Sequence, residues 1–308
     1  MPEPVLQLAH SPDPDDLFMW WPLGTRDVEP DIDTEGLRFA PFPEDIQALN
    51  RRAIEKHDLD VTAISIHAYP HVKDHYRLSA CAGSFGEGYG PLLVGRAGEE
   101  DDRRLLARIC DGDAAVAIPG EHTTAFLVLR LMLNADIRFV RMPFSEVPLA
   151  VAEGRVSAGL LIHDAQLTYL QLGLRALVDL GRWWTGETGL PLPLGGNVVR
   201  RDLDARLGPG ASARIGRVLA RAIAFAIEHW EEGLRRIVPM AGGLDRATLE
   251  RYLRMYVNER TVDAGREGRR AIELLLARAS AAGLAPPPGS VDLLPGLTGT
   301  AGAEPGPR

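Results

Sequence analysis

The chain has no excess of positive charge: 34 Lys and Arg face 42 Asp and Glu over 308 residues, a formal charge of −8. With a pI near 5.5 it has no basic footprint for phosphate backbones, which excludes nucleic acid as a partner. Cysteine is scarce. Cys81 and Cys110 are the only two and form no CxxC spacing, so a disulfide framework is excluded and both read as reduced, structural thiols. Long hydrophobic runs are also missing. Even Thr124 to Leu133 is interrupted by Arg130, far short of the roughly 20 apolar residues a membrane span needs. The opening Met-Pro-Glu-Pro-Val-Leu-Gln-Leu-Ala-His has neither a basic n-region nor an apolar h-region, so the expectation is a soluble, cytoplasmic protein. What the chain does have is 45% hydrophobic residues, enough to bury a large core as one big domain or two lobes.

Short apolar runs alternate with helical patterns, the signature of an α/β protein with a mostly parallel sheet. Val5 to Ala9, Leu37 to Pro41 and Leu59 to Ser65 read as strands. Between them, Asp15 to Leu23 reads as a short helix, and Glu44 to Lys56 puts Ile46, Leu49, Ala53 and Ile54 on one helical face. Pro91 to Gly95, Ala114 to Pro119 and Ile137 to Arg141 are further strands, and Thr123 to Asn134 is a helix with threonines placed to cap its start. Long helical patterns run over Ala211 to Gly233, Ala247 to Val257 and Gly265 to Ala281. From Gly283 to Arg308 the composition turns Pro/Gly-rich and loses its period, which predicts a flexible tail.

Three patterns imitate sites. His67, His71 and His75 recur at helical metal-ligand spacing, but Pro70 interrupts the run, so no metal is expected there. Gly86-Glu-Gly88-Tyr-Gly90 resembles a phosphate loop, yet a strand rather than a helix follows it. Asp13, Asp15 and Asp16 precede a helix, where aspartates serve as caps and dipole partners more often than as cation ligands.

The tract from Ala158 to Tyr169 carries the most chemistry. It reads as a buried strand, Ala-Gly-Leu-Leu-Ile, ending on His163 just before the next element. Ligands of open α/β sheets sit at such strand ends. Imidazole, with a pKa close to neutrality, is there the natural general base.

Seven motifs in fixed order then carry a resemblance: Ser11-Pro-Asp-Pro-Asp-Asp-Leu-Phe18, Asp60-Val-Thr-Ala-Ile-Ser65-Ile-His-Ala-Tyr, Gly86-Glu-Gly-Tyr-Gly-Pro-Leu-Leu, Ile118-Pro-Gly-Glu-His-Thr-Thr124-Ala125, Ile162-His163-Asp-Ala-Gln-Leu-Thr-Tyr169, Leu190-Pro-Leu-Pro-Leu-Gly-Gly196, and Tyr256 to Gly268. Together they resemble the 1,4-dihydroxy-6-naphthoate synthases of the futalosine route to menaquinone. The resemblance implies a type II periplasmic-binding-protein-like fold, two α/β lobes with the ligand cleft between them. It implies lobe 1 over 1–95 and 198–282, lobe 2 inserted over 96–197, and the tail over 283–308, with crossings near Gly95 and Gly195-Gly196. It also implies a lyase-type, cofactor-independent conversion of cyclic dehypoxanthine futalosine to 1,4-dihydroxy-6-naphthoate. His163 would be the catalytic base, Ser65, Thr124 and Ala125 would hold the polar groups of the small-molecule substrate, and Ser11 would stand near the ligand. Many relatives carry Ser-Pro-Cys-Pro-Asn-Asp where this chain has Asp13 and Asp15, adding two carboxylates near the cleft. The same fold also serves non-catalytic solute-binding proteins, in which such a histidine merely hydrogen-bonds the ligand; the absent signal peptide favours the enzyme.

Overall fold

The computed structural model describes residues 5–99 and 101–297. Its strands are β1 (Val5–His10), β2 (Arg38–Pro43), β3 (Val61–Ser65), β4 (Tyr76–Ser79), β5 (Ser84–Gly86), β6 (Leu92–Arg96), β7 (Val116–Ile118), β8 (Phe139–Arg141), β9 (Ala158–Leu161), β10 (Leu174–Asp179), β11 (Leu192–Arg200) and β12 (Leu293–Leu294). They form two sheets, one ordered β12-β4-β11-β3-β1-β2 with β5 on β11, the other ordered β10-β6-β9-β7-β8. Each sheet is the centre of a lobe with helices packed on it. Among the described residues, no helix is long and apolar enough to cross a membrane.

Burial on both faces explains the composition of the central strands. All five residues of β3 and all four of β9 are buried, so both read as continuous apolar runs, as strands covered on two sides do. The helix Ile46–Glu55 starts at Asp45, whose carboxylate accepts the Gln47 and Ala48 amides, and it lays Ile46, Leu49 and Ala53 against β1 and β3.

Four expectations need correction. The sheets are mixed, not mostly parallel: β11 runs antiparallel to β3, β4 and β5, and β6 antiparallel to β9 and β10. These are the strands that enter each sheet directly from the other lobe, without the helical crossover a parallel neighbour requires. For the same reason the lobe boundaries move. β6 belongs to the second sheet and β11 to the first, so the chain crosses between Gly86 and Leu92 and again between Thr188 and Leu192, not near Gly95 and Gly195-Gly196. Those glycines are held in ladders, Gly95 opposite Ala158 and Arg175, Gly195 opposite Ser65. At the true crossing Gly181 lies so close that a Cβ would meet the Tyr89 carbonyl at 1.8 Å.

The tail expected over 283–308 is, as far as Leu297, part of the first lobe. Leu293–Leu294 pair in parallel with Leu78–Ser79, Val291, Leu293 and Leu294 are buried, and Asp292 bridges Arg77 and Arg201. Sheet pairing supplies the order that the local composition lacks; residues 298–308 lie outside the described residues. The long helical pattern from Ala211 to Gly233 is two helices, Ala211–Glu228 and Trp230–Ile237, broken at His229.

Candidate active site

One cavity of about 100 Å³ lies between the lobes. Its walls bring together every residue expected at the site: Ser11, Ser65, Thr124, Ala125 and His163. The first lobe contributes the ends of β1 and β3 and the stretch Leu194–Asn197 of β11; the second contributes the start of the helix Thr124–Leu133 and the turn after β9. The two walls are tied together across the cavity by Asp13–His163, Thr124–Leu194 and Tyr256–Gln166.

His163 lies two residues beyond β9, in the left-handed region at φ +58°. That conformation is costly for a residue with a Cβ and is held by its surroundings. The Phe144 ring packs edge-on at 4.7 Å, and Nδ1 lies 2.7 Å from an Asp13 carboxylate oxygen. The other nitrogen, Nε2, is buried and has no hydrogen-bond partner. Asp13, almost wholly buried, also accepts the Ser11 hydroxyl.

This corrects the expected cap. Asp13 does occupy the N-cap position of the helix Pro14–Trp20, but its side chain makes no capping bond. Pro14 already presets the first turn, and the carboxylate turns into the cleft. Asp15 does not cap either: it accepts the Tyr252 hydroxyl at 3.2 Å. Asp16 accepts the Ser11 amide at 2.8 Å, fixing the loop that carries Asp13.

Four carboxyls thus surround one imidazole, and they share protons unequally. Burial alone would lower His163, but the Asp13 charge and hydrogen bond, backed by Asp15 and Asp164, push it up to about 9. Burial raises Asp15 to about 6, with the Asp13 charge adding to it. Burial and then Asp15 and Asp13 hold Asp16 well above the usual carboxylate range, and burial and Asp13 raise Asp164. The additional negative charge in the first motif is therefore offset by imidazolium and by retained protons.

Opposite this cluster are hydrogen-bond donors. Thr123 caps the helix Thr124–Leu133 by accepting the Phe126 amide at 3.3 Å. The Thr124 and Ala125 amides, as the first two of that helix, have no carbonyl in their own helix to reach, and both residues face the cavity. An anionic oxygen there meets free N–H groups and the positive helix end. The Thr124 hydroxyl is already committed, donating to Leu194 O at 2.6 Å and accepting the His67 amide at 3.2 Å. Ser65 is held by Asn50, whose carboxamide accepts the Ser65 amide at 2.8 Å and donates to its hydroxyl oxygen at 3.0 Å. The Ser65 hydroxyl hydrogen is left to donate.

Residues outside the motif expectations complete the wall. Tyr256 donates to Gln166 at 3.1 Å across the lobes. Asn197, 2% exposed, donates to Ala82 O while its Oδ1 has no partner. Tyr256 opens the seventh motif and Asn197 directly follows the sixth, and only the assembled cleft shows that both line it. The three regularly spaced histidines do not converge: His75 stacks on His57 at 3.8 Å while His67 lies nearest His122 and His71. Among the described residues no group of three His, Cys, Asp or Glu side chains could hold a metal ion.

Known proteins match this frame along nearly all of the chain. A family model described as menaquinone biosynthesis covers residues 6–281. A 1,4-dihydroxy-6-naphtoate synthase of Thermus thermophilus is 38% identical over 283 residues, 92% of this chain and 97% of that protein. One of Streptomyces coelicolor is 37% identical over 287 residues, 92% and 95% of the two chains. Among solved structures, the ligand-binding component of an ABC-type import system from Staphylococcus aureus superposes with a TM-score of 0.68 at 14% identity, covering 95% of this chain and 96% of its own. At that identity the likeness establishes the fold alone, the two-lobed architecture of periplasmic binding proteins.

Proposed function

The chain belongs to the menaquinone biosynthesis family, and on that premise we propose that it is a 1,4-dihydroxy-6-naphthoate synthase acting on cyclic dehypoxanthine futalosine, with His163 as general base. One observation carries the assignment of the base: an imidazole whose Nδ1 is tied to a carboxylate while its buried Nε2 has no partner beside the cavity. A proton leaves the substrate beside a carbonyl of the cyclised ribose fragment and arrives on Nε2. The electron pair moves to the carbonyl oxygen, and an enolate held at the Thr124 and Ala125 amides is stabilised where its charge develops. Collapse of that enolate expels the sugar-derived fragment with the bonding electron pair, the proton on Nε2 passes to that fragment and restores the base, and the bicyclic product is freed, a lyase-type outcome. Ser65 supplies a further donor to a substrate oxygen.

A pKa of about 9 makes the neutral ring roughly one molecule in a hundred at pH 7. The same shift makes that ring a stronger base, which offsets part of its scarcity, and turnover rises with pH through the alkaline range. The test is incubation of the purified protein with cyclic dehypoxanthine futalosine, followed by chromatography for the naphthoate. Product formation at a rate that rises toward pH 9 is expected; saturable binding with no product would return the chain to the solute-binding class.

A further inference from the structure

The proton-transfer pair is divided between the lobes. Asp13 stands between β1 and the helix Pro14–Trp20 of the first lobe, and His163 follows β9 of the second. Their 2.7 Å contact therefore spans the cleft. Each side is set before they meet. The Ser11 hydroxyl donates to Asp13, and Asp16 pins the Ser11 amide. On the other side, the φ of +58° and the Phe144 ring fix the direction of the imidazole.

We propose, building on the assignment of His163 as base, that Asp13 is a positioning residue which activates His163 only when the cleft shuts. Closure brings the carboxylate to Nδ1, fixes the tautomer with Nε2 toward the substrate, and provides the counter-charge for the imidazolium that proton abstraction creates. Within the proton-transfer pair, this hydrogen bond is the only bond that changes on closing. The Nδ1 proton stays in place, and the proton taken from the substrate arrives on Nε2. Opening separates the partners and leaves an ordinary, hydrated imidazole. Substrate entry calls for such opening, because Asp13–His163, Thr124–Leu194 and Tyr256–Gln166 tie the two walls of the cavity together. The chemistry is thereby confined to the closed, water-poor state.

Other contacts also cross the cleft, namely Thr124 to Leu194 and His67, Gln47 to His122, and Tyr256 to Gln166. None of them involves the His163 ring, so a variant lacking the Asp13 charge keeps the means to close. The remaining titratable groups around the pair are Asp15 and Asp16 of the same first-lobe turn, Asp164 beside the ring in the chain, Tyr252, which donates to Asp15, and the buried His10 at the end of β1, which faces Asp13.

The experiment compares pH profiles of kcat and KM for wild type, Asp13→Asn, Asp13→Glu and His163→Asn with the cyclic substrate. In wild type the alkaline limb of kcat belongs near pH 9, where the paired ring titrates. Asp13→Asn is expected to lower kcat roughly 10²–10⁴-fold, as when a carboxylate that fixes a catalytic tautomer is lost, and to move the limb to about pH 7 or below, nearer the ordinary imidazole value. KM should change far less, and Asp13→Glu should restore part of the limb. Asp13→Asn with the limb at its wild-type position, or with an effect on KM alone, would overturn the proposal. His163→Asn separates the two layers. If it keeps the limb, the assignment of the base fails; if it removes the limb while Asp13→Asn leaves it in place, only the closure-coupled role of Asp13 fails. Should Asp13→Asn fold poorly, NMR titration of labelled His163 in wild type, free and with 1,4-dihydroxy-6-naphthoate bound, tests the same coupling: the bound form must titrate at least one unit higher, and equal values would refute it.

Discussion

His163→Asn tests the site through both rate and stability. Asparagine tolerates the left-handed backbone at φ +58° better than most residues, and its amide can still reach Asp13, so the variant removes the proton-accepting nitrogen with little disturbance of shape. Loss of a general base predicts a kcat lower by roughly 10²–10⁴-fold. The stability effect follows from linkage. The folded protein raises the ring from 6.5 to about 9, so it holds this proton more tightly than the unfolded chain, by roughly 3 kcal/mol. That contribution is fully present below pH 6.5 and is lost as the pH rises through about 9. Asparagine forfeits it, apart from up to about 1 kcal/mol regained by relief of backbone strain. Urea unfolding should therefore find the variant about 2–3 kcal/mol less stable than wild type at about pH 6, with the gap closing by about pH 10. A variant that turns over at nearly the wild-type rate would remove His163 from the mechanism. A stability gap that stays constant or widens with pH would refute the Asp13–His163 ion pair as its source.

Two further outcomes check the surroundings. Burial and the Asp13 charge raise Asp15 from 3.8 to about 6, so its ionisation works against folding as the pH rises through that window; Asp15→Asn, whose carbonyl can still accept Tyr252, should be up to about 3 kcal/mol more stable than wild type at pH 7, the gain vanishing near pH 4 in parallel melts. Leu294→Ala, at a position 1% exposed in β12, should cost about 2–4 kcal/mol in urea unfolding, where a residue of a mobile tail would cost nothing measurable.

Elements with their own period or cap were legible in the chain. The face of Ile46, Leu49 and Ala53 buries as the spacing requires, and Thr123 caps the helix whose start faces the cleft. His163 was legible as the end of an apolar strand, where ligands of α/β folds gather, while Ser65, Thr124 and Ala125 came only from the resemblance of the motifs that hold them; all four line the cavity. What stayed hidden depends on distant partners. Leu192–Arg200 opens with proline and two glycines that read as a hinge, and it is a strand because β3, β4 and β5 flank it. Leu293–Leu294 sits in a Pro/Gly-rich stretch and is ordered by pairing with β4 and by packing of Leu294 against the helix Ala211–Glu228.

The first motif shows the limit most sharply. Three aspartates at a helix start are physically indistinguishable, in sequence, from three caps, because both roles need an acceptor at the end of a short side chain. Here they divide the work. Asp16 binds the Ser11 amide of its own loop, Asp15 takes a hydroxyl from the helix Arg246–Tyr256, and Asp13 reaches the other lobe. A carboxylate added near the cleft is, on the proposal above, the counter-ion of His163 once the lobes meet. The sign of its effect on function is thus set by closure, a property that no local window of the chain contains.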